Sequence, residues 1–360
     1  MPKKSGGKKK LIIAISIIFG LLVLYFPGGY AAGLIVLQVI FGRRFDGDDF
    51  AQARQTILKG REDYPSLQNS EDVYFFSGEN KLAGHLNKTT DSKGTIVIVH
   101  GINGSSQDDT SALQDYFLNR GYDIFAFDLT VSGDSEGDGI KGLYQSALDV
   151  HSAVDYLHSR SDLDLDRLAF VGYSWGAYGV AASLELDLKA KPKAACAISG
   201  FVDPKTVMLA SARKYVGVLA DITRPQFEWA MSTRCGEYAS LSALSGIENH
   251  PEVDWTLVHG DSDDAVTLDA SLYQKAKDKK LDVHEFLREG YEHLGVWRTK
   301  EANQVYNDAM EYYKSIEKHK NAFELLQEYV QSNGVKEKAS CLDLDFMDQL
   351  ESNIAASLDN

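Results

Sequence analysis

The stretch that leaves this chain the fewest folds is Arg167-Leu-Ala-Phe-Val-Gly-Tyr-Ser-Trp-Gly-Ala177. Leu168 to Val171 is a short apolar run of strand type, which breaks into Gly172-Tyr173-Ser174-Trp175-Gly176. The small-residue stretch Ala177 to Leu186 then reads as a helix. A strand that becomes a helix across so short a turn brings backbone against backbone, so a Cβ at Gly172 or Gly176 would collide with its neighbours. The same turn holds Ser174 under strain with its hydroxyl above the sheet edge. The pentapeptide alone recurs by chance in many chains; the flanking strand and helix are what give it weight.

The surrounding pattern repeats this alternation. Asp72 to Ser77 and Lys81 to Leu86 read as a hairpin around Gly78-Glu79-Asn80. Thr95 to Val99 and Ala194 to Ile198 are wholly apolar, as strands buried on both faces of a parallel sheet are. Tyr122 to Phe127, Trp255 to Val258 and Val283 to Leu287 are further strands. Leu113 to Arg120, Leu143 to Ser159, Leu268 to Lys280 and Val296 to His319 are helices. The result is an α/β chain with a mostly parallel, doubly wound sheet over residues 70–319. Residues 201–252 interrupt the alternation with an aromatic, helix-rich, cap-like insertion. Residues 43–69 read as a stalk or accessory helix, and residues 320–360 as an acidic tail.

The N-terminus has a different character. Lys3, Lys4, Lys8, Lys9 and Lys10 make residues 1–10 a basic leader, and residues 11–42 a membrane-associated segment. The uncharged run Leu11 to Phe26 would reach about 24 Å as a helix, short of a roughly 30 Å hydrocarbon core, and is completed through Tyr30-Ala31-Ala32. Three readings stand: a single signal anchor kinked at Pro27 with an interfacial second half, a signal peptide cut near Ala31 or Ala32, and a hairpin turning at Pro27-Gly28-Gly29. Lysines before the run outnumber the two arginines after it, Arg43 and Arg44. That asymmetry favours a single-pass protein with its main domain outside the cytoplasm. The formal charge is −15 and the leader's five lysines leave −20 on the rest, which excludes nucleic acid as a partner. Cys196, Cys235 and Cys341 are too few and too scattered for a disulfide framework or a zinc site.

Ser174 needs a base to become a nucleophile, and imidazole has the fitting basicity. Of nine histidines, His293 alone lies in a Gly-flanked loop after the last strand, at the sheet edge where ligands gather. The acid that would orient it follows the penultimate strand, where Asp261, Asp263 and Asp264 all stand. Glu292 adjoins His293 in sequence but is set to point elsewhere on an extended loop.

Over residues 70–317 the elbow, the strand alternation and the order Ser174, acid, His293 resemble the α/β-hydrolase superfamily. The resemblance selects Asp263 through a strand-Gly-x-x-Asp pattern. It makes Ser174, Asp263 and His293 a catalytic triad. It also places an oxyanion hole at the backbone N–H groups of Ile102 and Trp175, the residues after His100-Gly101 and after the serine. Asp128 to Gly137 is similar to the superfamily's D-x-R-G-x-G-x-S-x-G loop, with Thr130-Val131 in place of Arg-Gly. The function it implies is a membrane-anchored serine hydrolase of esterase, lipase or thioesterase type, acting on small-molecule or lipid acyl esters with no metal or organic cofactor. A serine peptidase on the same fold and a non-catalytic, membrane-tethered binding protein are the alternatives. The sequence does not give the oligomeric state.

Overall fold

The computed structural model describes the backbone of residues 6–45, 49–108 and 110–359, with side chains there except for 6–15, 17–19 and 21–24. The chain opens with α1 (Gly6–Phe41) and α2 (Asp49–Ile57). There follow β1 (Glu71–Ser77), β2 (Asn80–Asn87), β3 (Thr95–Val99), α3 (Ser111–Asn119), β4 (Asp123–Phe127), α4 (Gln145–His158), β5 (Leu168–Tyr173), α5 (Trp175–Ala182) and β6 (Ala194–Ile198). The insertion supplies α6 (Pro204–Val216), α7 (Leu219–Cys235) and α8 (Ala243–Glu248). The remainder is β7 (Asp254–Gly260), α9 (Leu272–Lys279), β8 (His284–Arg288), α10 (Lys300–Ile316), α11 (Ala322–Asn333), α12 (Val335–Ala339) and α13 (Leu344–Leu358).

The strands form one eight-stranded sheet in the order β1-β2-β4-β3-β5-β6-β7-β8. β1 with β2 and β2 with β4 are antiparallel, and every other pair is parallel. β3, β5 and β6 are buried at every residue because helices cover both faces. One face carries α4, α5, α8 and α9; the other carries α3 and α13. The chain order reverses between β3 and β4 on one side and β5 on the other, so the loops after β3 and β5 meet at the carboxyl edge, where such sheets bind ligands.

Two regions differ from their sequence reading. The stretch read as a tail is α11 to α13. In α13, Phe346, Met347, Leu350, Ile354 and Leu358 pack into the core beneath β5, β6 and β7. The helix expected to close the sheet, α10, instead joins α2, α11 and α12 in a separate apolar cluster around Tyr306, Met310, Tyr313 and Leu326. The accessory stretch 43–69 is therefore packed through Ala53 and Ile57 and does not stand off as a stalk.

α1 is also unlike its expectation. It runs unbroken through Pro27-Gly28-Gly29, so the turn a hairpin requires is absent. Its C-terminal half is seated on α7: Tyr25 with Ile222, Gly29 with Gln226 and Gly33 with Ala230 mark two parallel helices in register. A Cβ at Gly29 or Gly33 would come within 3.0 Å of the α7 side chains, so the glycines set how closely the helices approach. Tyr30 stacks on Trp229 at 4.0 Å, and Leu37 and Phe41 enter the core. Among the described residues no helix is long and apolar enough to cross a membrane. Part of the expected membrane segment 11–42, and the leader before it, fall on side chains outside the described residues.

Candidate active site

β5 ends at Tyr173 and α5 begins at Trp175, leaving Ser174 alone in the turn at φ 53° and ψ −111°. A non-glycine residue pays about 1–3 kcal/mol for such a backbone. The flanking glycines make the turn feasible. A Cβ on Gly172 would lie 2.5 Å from the Gly176 carbonyl oxygen, and one on Gly176 would lie 2.6 Å from that of His100.

His293 comes from the loop after β8 and Asp263 from the turn after β7. Ser174 Oγ lies 2.8 Å from His293 Nε2, and His293 Nδ1 lies 2.7 Å from Asp263 Oδ2. A carboxylate only accepts, so Nδ1 carries the proton and Nε2 is left to accept from the serine hydroxyl. The other Asp263 oxygen, Oδ1, accepts from the backbone N–H groups of Ala265 and Val266 at 2.9 and 2.8 Å, which fixes the carboxylate plane. Its side chain is fully buried, where an ionised oxygen needs every such donor. Tyr173 helps hold the histidine loop: its hydroxyl donates to the His293 carbonyl at 3.2 Å and its ring packs edge-on to Trp297.

The other candidates separate cleanly. Asp261 is exposed and accepts from Gly290 N–H at 2.7 Å, pinning the β8 exit loop. Asp264 is exposed at the rim, and Glu292 is exposed. His100 is buried, accepting from Leu129 N–H through Nε2 at 3.0 Å and donating through Nδ1 to the Gly101 carbonyl at 2.6 Å. His259 is buried beneath Asp263 and donates to the Val266 carbonyl at 3.0 Å; burial pushes its pKa down, so it is neutral there. Trp175 opens α5, where a first-turn N–H has no intrahelical acceptor. Ile102 lies on the β3 exit loop, and both line the cavity that holds Ser174 and His293.

That cavity has a volume of about 910 Å³ and a predominantly apolar wall. Leu143, Phe201 and Val207 line its floor and side, while α1, α6 and α7 roof it through Val36, Ala212 and Phe227. Of the insertion, α6 and α7 line this cavity, whereas α8 packs on α5. The roofing by α1 was missed in the sequence. The signal for it was Gly29-x-x-x-Gly33 inside an apolar helix, the spacing of a close helix–helix contact.

Arg44 was missed as well. Its guanidinium donates to the carbonyls of Gly133 and Ser135, both at 2.7 Å, inside the loop that lacks the superfamily's arginine. In the same loop Val131 has φ 69° at the position where the resemblance has glycine. Phe45 then donates through N–H to the Val131 carbonyl and packs edge-on to Trp175, joining the exit of α1 to the elbow.

The strand order, the strained serine at the β5–α5 turn and the histidine after β8 define an α/β-hydrolase. Residues 112–320 match the prolyl oligopeptidase family, and the chain belongs to that family of hydrolases. Among curated proteins it is similar to the uncharacterized protein YfhR of Salmonella typhi, 26% identical over 222 residues that cover 60% of this chain and 69% of that protein. It is also similar to the quorum-quenching protein AidA of Acinetobacter baumannii, 30% identical over 120 residues, 32% of this chain and 40% of that one. Among solved structures, an esterase of Pyrococcus furiosus aligns with a TM-score of 0.48 at 20% identity, covering 68% of this chain and 88% of its own.

Proposed function

We propose that the protein is a membrane-anchored serine hydrolase that cleaves carboxylic or thio acyl esters through Ser174, His293 and Asp263. The observation that carries this reading is the serine–histidine–aspartate relay, at 2.8 and 2.7 Å, in the floor of a large apolar cavity. In the first step Ser174 Oγ attacks the acyl carbonyl while its proton moves to His293 Nε2. Asp263 holds the imidazolium that forms. The N–H groups of Trp175 and Ile102 receive the oxyanion; a donor of this kind is worth roughly 3 kcal/mol in the transition state. The leaving alcohol or thiol takes the proton from His293. Water, deprotonated by the same histidine, then releases the acid from Ser174.

Membership of the prolyl oligopeptidase family favours a second reading, a serine peptidase. The cavity weighs against it. A peptide brings N–H and C=O groups that each cost about 1–3 kcal/mol when buried without a partner, whereas an acyl chain makes no such demand. Membrane anchoring is supported by the basic leader and the uncharged apolar run Leu11 to Phe26. The lysine asymmetry supports an extracytoplasmic catalytic domain, a reading checked by protease shaving of intact cells.

The test is fluorophosphonate labelling of the full chain, followed by assays on short and long acyl esters and aminoacyl amides. We expect labelling in the wild type, none in Ser174→Ala, and preference for long acyl esters. A folded wild type that neither labels nor turns over any ester would leave only a tethered binding protein. Preference for the amides would install the peptidase.

A further inference from the structure

The turn between α6 and α7, Tyr215-Val216-Gly217-Val218-Leu219, presents four large apolar side chains to solvent; Tyr215 is 88% exposed and Val218 is 70% exposed. Gly217 closes α6 at φ 56°, and the space around its missing Cβ is open, as at a protruding tip. Ile222 in the first turn of α7 and Phe26 on α1 extend the same exposed apolar surface. Contiguous apolar surface of this kind marks an interaction site.

Two observations identify the occupant. First, α1 and α7 run parallel and in register, with Tyr25 bonded to the Ile222 carbonyl, so α1 continues N-terminally past the tip. The sequence it carries there, Leu11 to Leu24, is without a charge and is preceded by the lysine leader. The tip thus lies beside the point where an apolar helix leaves the protein. Second, the cavity that holds Ser174 reaches this tip, since Tyr215, Val216 and Ala220 line it together with Ser174 and His293. The charged groups behind the tip are Lys214, exposed, and the ion pair of Arg213 with Asp221 at 2.6 Å. Lipid headgroups accommodate such a collar around inserted apolar side chains.

We propose that the Tyr215–Leu219 tip is a membrane-docking element seated at the headgroup–acyl boundary of a lipid bilayer, and that the cavity mouth at Tyr215 and Val216 opens into that bilayer. The acyl ester the enzyme takes is then one dissolved in the membrane. This rests on the serine-hydrolase reading and specifies where its substrate comes from.

The test uses the full chain in phosphatidylcholine–phosphatidylglycerol vesicles. A polarity-sensitive dye is placed on Val218→Cys in a Cys341→Ser background, Cys196 and Cys235 being buried. The control site is Phe76→Cys, exposed on β1. Lipids brominated on their acyl chains should quench the dye at 218 and not at 76. The double variant Val218→Asp, Leu219→Asp leaves the cavity lining untouched. It should lose about tenfold or more in kcat/KM on a long-chain ester dissolved in the vesicles. Hydrolysis of water-soluble p-nitrophenyl acetate should stay within about twofold, since the cavity and relay are unchanged.

A dye at 218 that stays in water overturns the docking, and cross-linking of two chains through Val218→Cys would give the tip to a second copy instead. Quenching together with equal effects on both esters overturns the lateral route of the substrate. A wild type inactive on both esters removes the hydrolase reading and the substrate clause with it, while quenching still decides the docking.

Discussion

Asp263 illustrates how much one carboxylate is asked to do. It fixes the tautomer of His293 through Oδ2 and is itself fixed by two backbone N–H groups through Oδ1. Asp263→Asn keeps the shape but offers an amide where a charge is needed, so kcat should fall by about 10³–10⁴-fold with KM little changed. Steady-state kinetics on a soluble ester measure this, and a loss below tenfold would show that another acid orients the histidine. Tyr173→Phe removes one hydrogen bond to the His293 carbonyl, worth about 0.5–1.5 kcal/mol, and should lower kcat by roughly two- to tenfold without unfolding. The cysteines give a third test. Burial pushes the Cys196 thiol up to about 12 and the Cys235 thiol up to about 11, whereas Cys341 is exposed. Iodoacetamide at pH 8 should therefore modify Cys341 alone in the folded protein and all three in denaturant, as read by intact mass.

At the scale of elements, the strands were legible because a parallel strand buried on both faces must be apolar throughout. Thr95–Val99 and Ala194–Ile198 are found with the bounds the sequence predicts. The site was legible for a related reason: a serine in so tight a turn needs Gly172 and Gly176, and its partners must leave the same sheet edge. The helices were less so. An amphipathic stripe says that a face is buried and not against what, so α10 and α13 could not be told apart as the helix that closes the sheet. Pro27 read as a break, yet a helix tolerates a proline where its neighbours supply the packing, and α7 supplies it here. Arg44 was invisible because a surface-type residue outside the domain takes over a loop's carbonyls from far along the chain. Its hydrogen bonds to the carbonyls of Gly133, Ser135 and, at 3.4 Å, Gly137 predict that Arg44→Ala destabilises the protein by about 2 kcal/mol, a Tm fall of roughly 3 °C. Arg44→Lys should recover less than half, because a single ammonium nitrogen replaces the two separate guanidinium nitrogens that reach Ser135 and Gly133. Thermal unfolding of the three proteins checks both statements; equal Tm values would show that the clip is only a surface contact.

For the whole molecule, the weightiest departure from the sequence reading is that residues 320–360 complete the fold. Burying Phe346, Met347, Leu350, Ile354 and Leu358 is worth about 1.5–3 kcal/mol each, roughly 8–15 kcal/mol together, which matches the entire stability of an ordinary domain. Polar contacts orient the helix: Tyr122 donates to Glu351 at 2.8 Å, and Asp348 accepts from Tyr116 at 2.6 Å and pairs with Arg120. Deleting residues 343–360 should therefore yield aggregated protein, whereas a true tail could be removed without effect. Aggregation alone is a blunt result, so a gentler cut decides the matter. Glu317 to Asn321 is an exposed loop containing Lys318 and Lys320, set between α10 and α11. Brief trypsin treatment should nick it, and the two fragments should then co-elute on size exclusion and part only in denaturant. Fluorophosphonate labelling of Ser174 should survive the nick, because α13 supports the sheet from the face opposite the elbow helix and needs no covalent link to do so. Release of the C-terminal fragment under native conditions, with labelling intact, would return these residues to the status of a tail and leave the lower face of β5, β6 and β7 without the cover a buried parallel sheet requires.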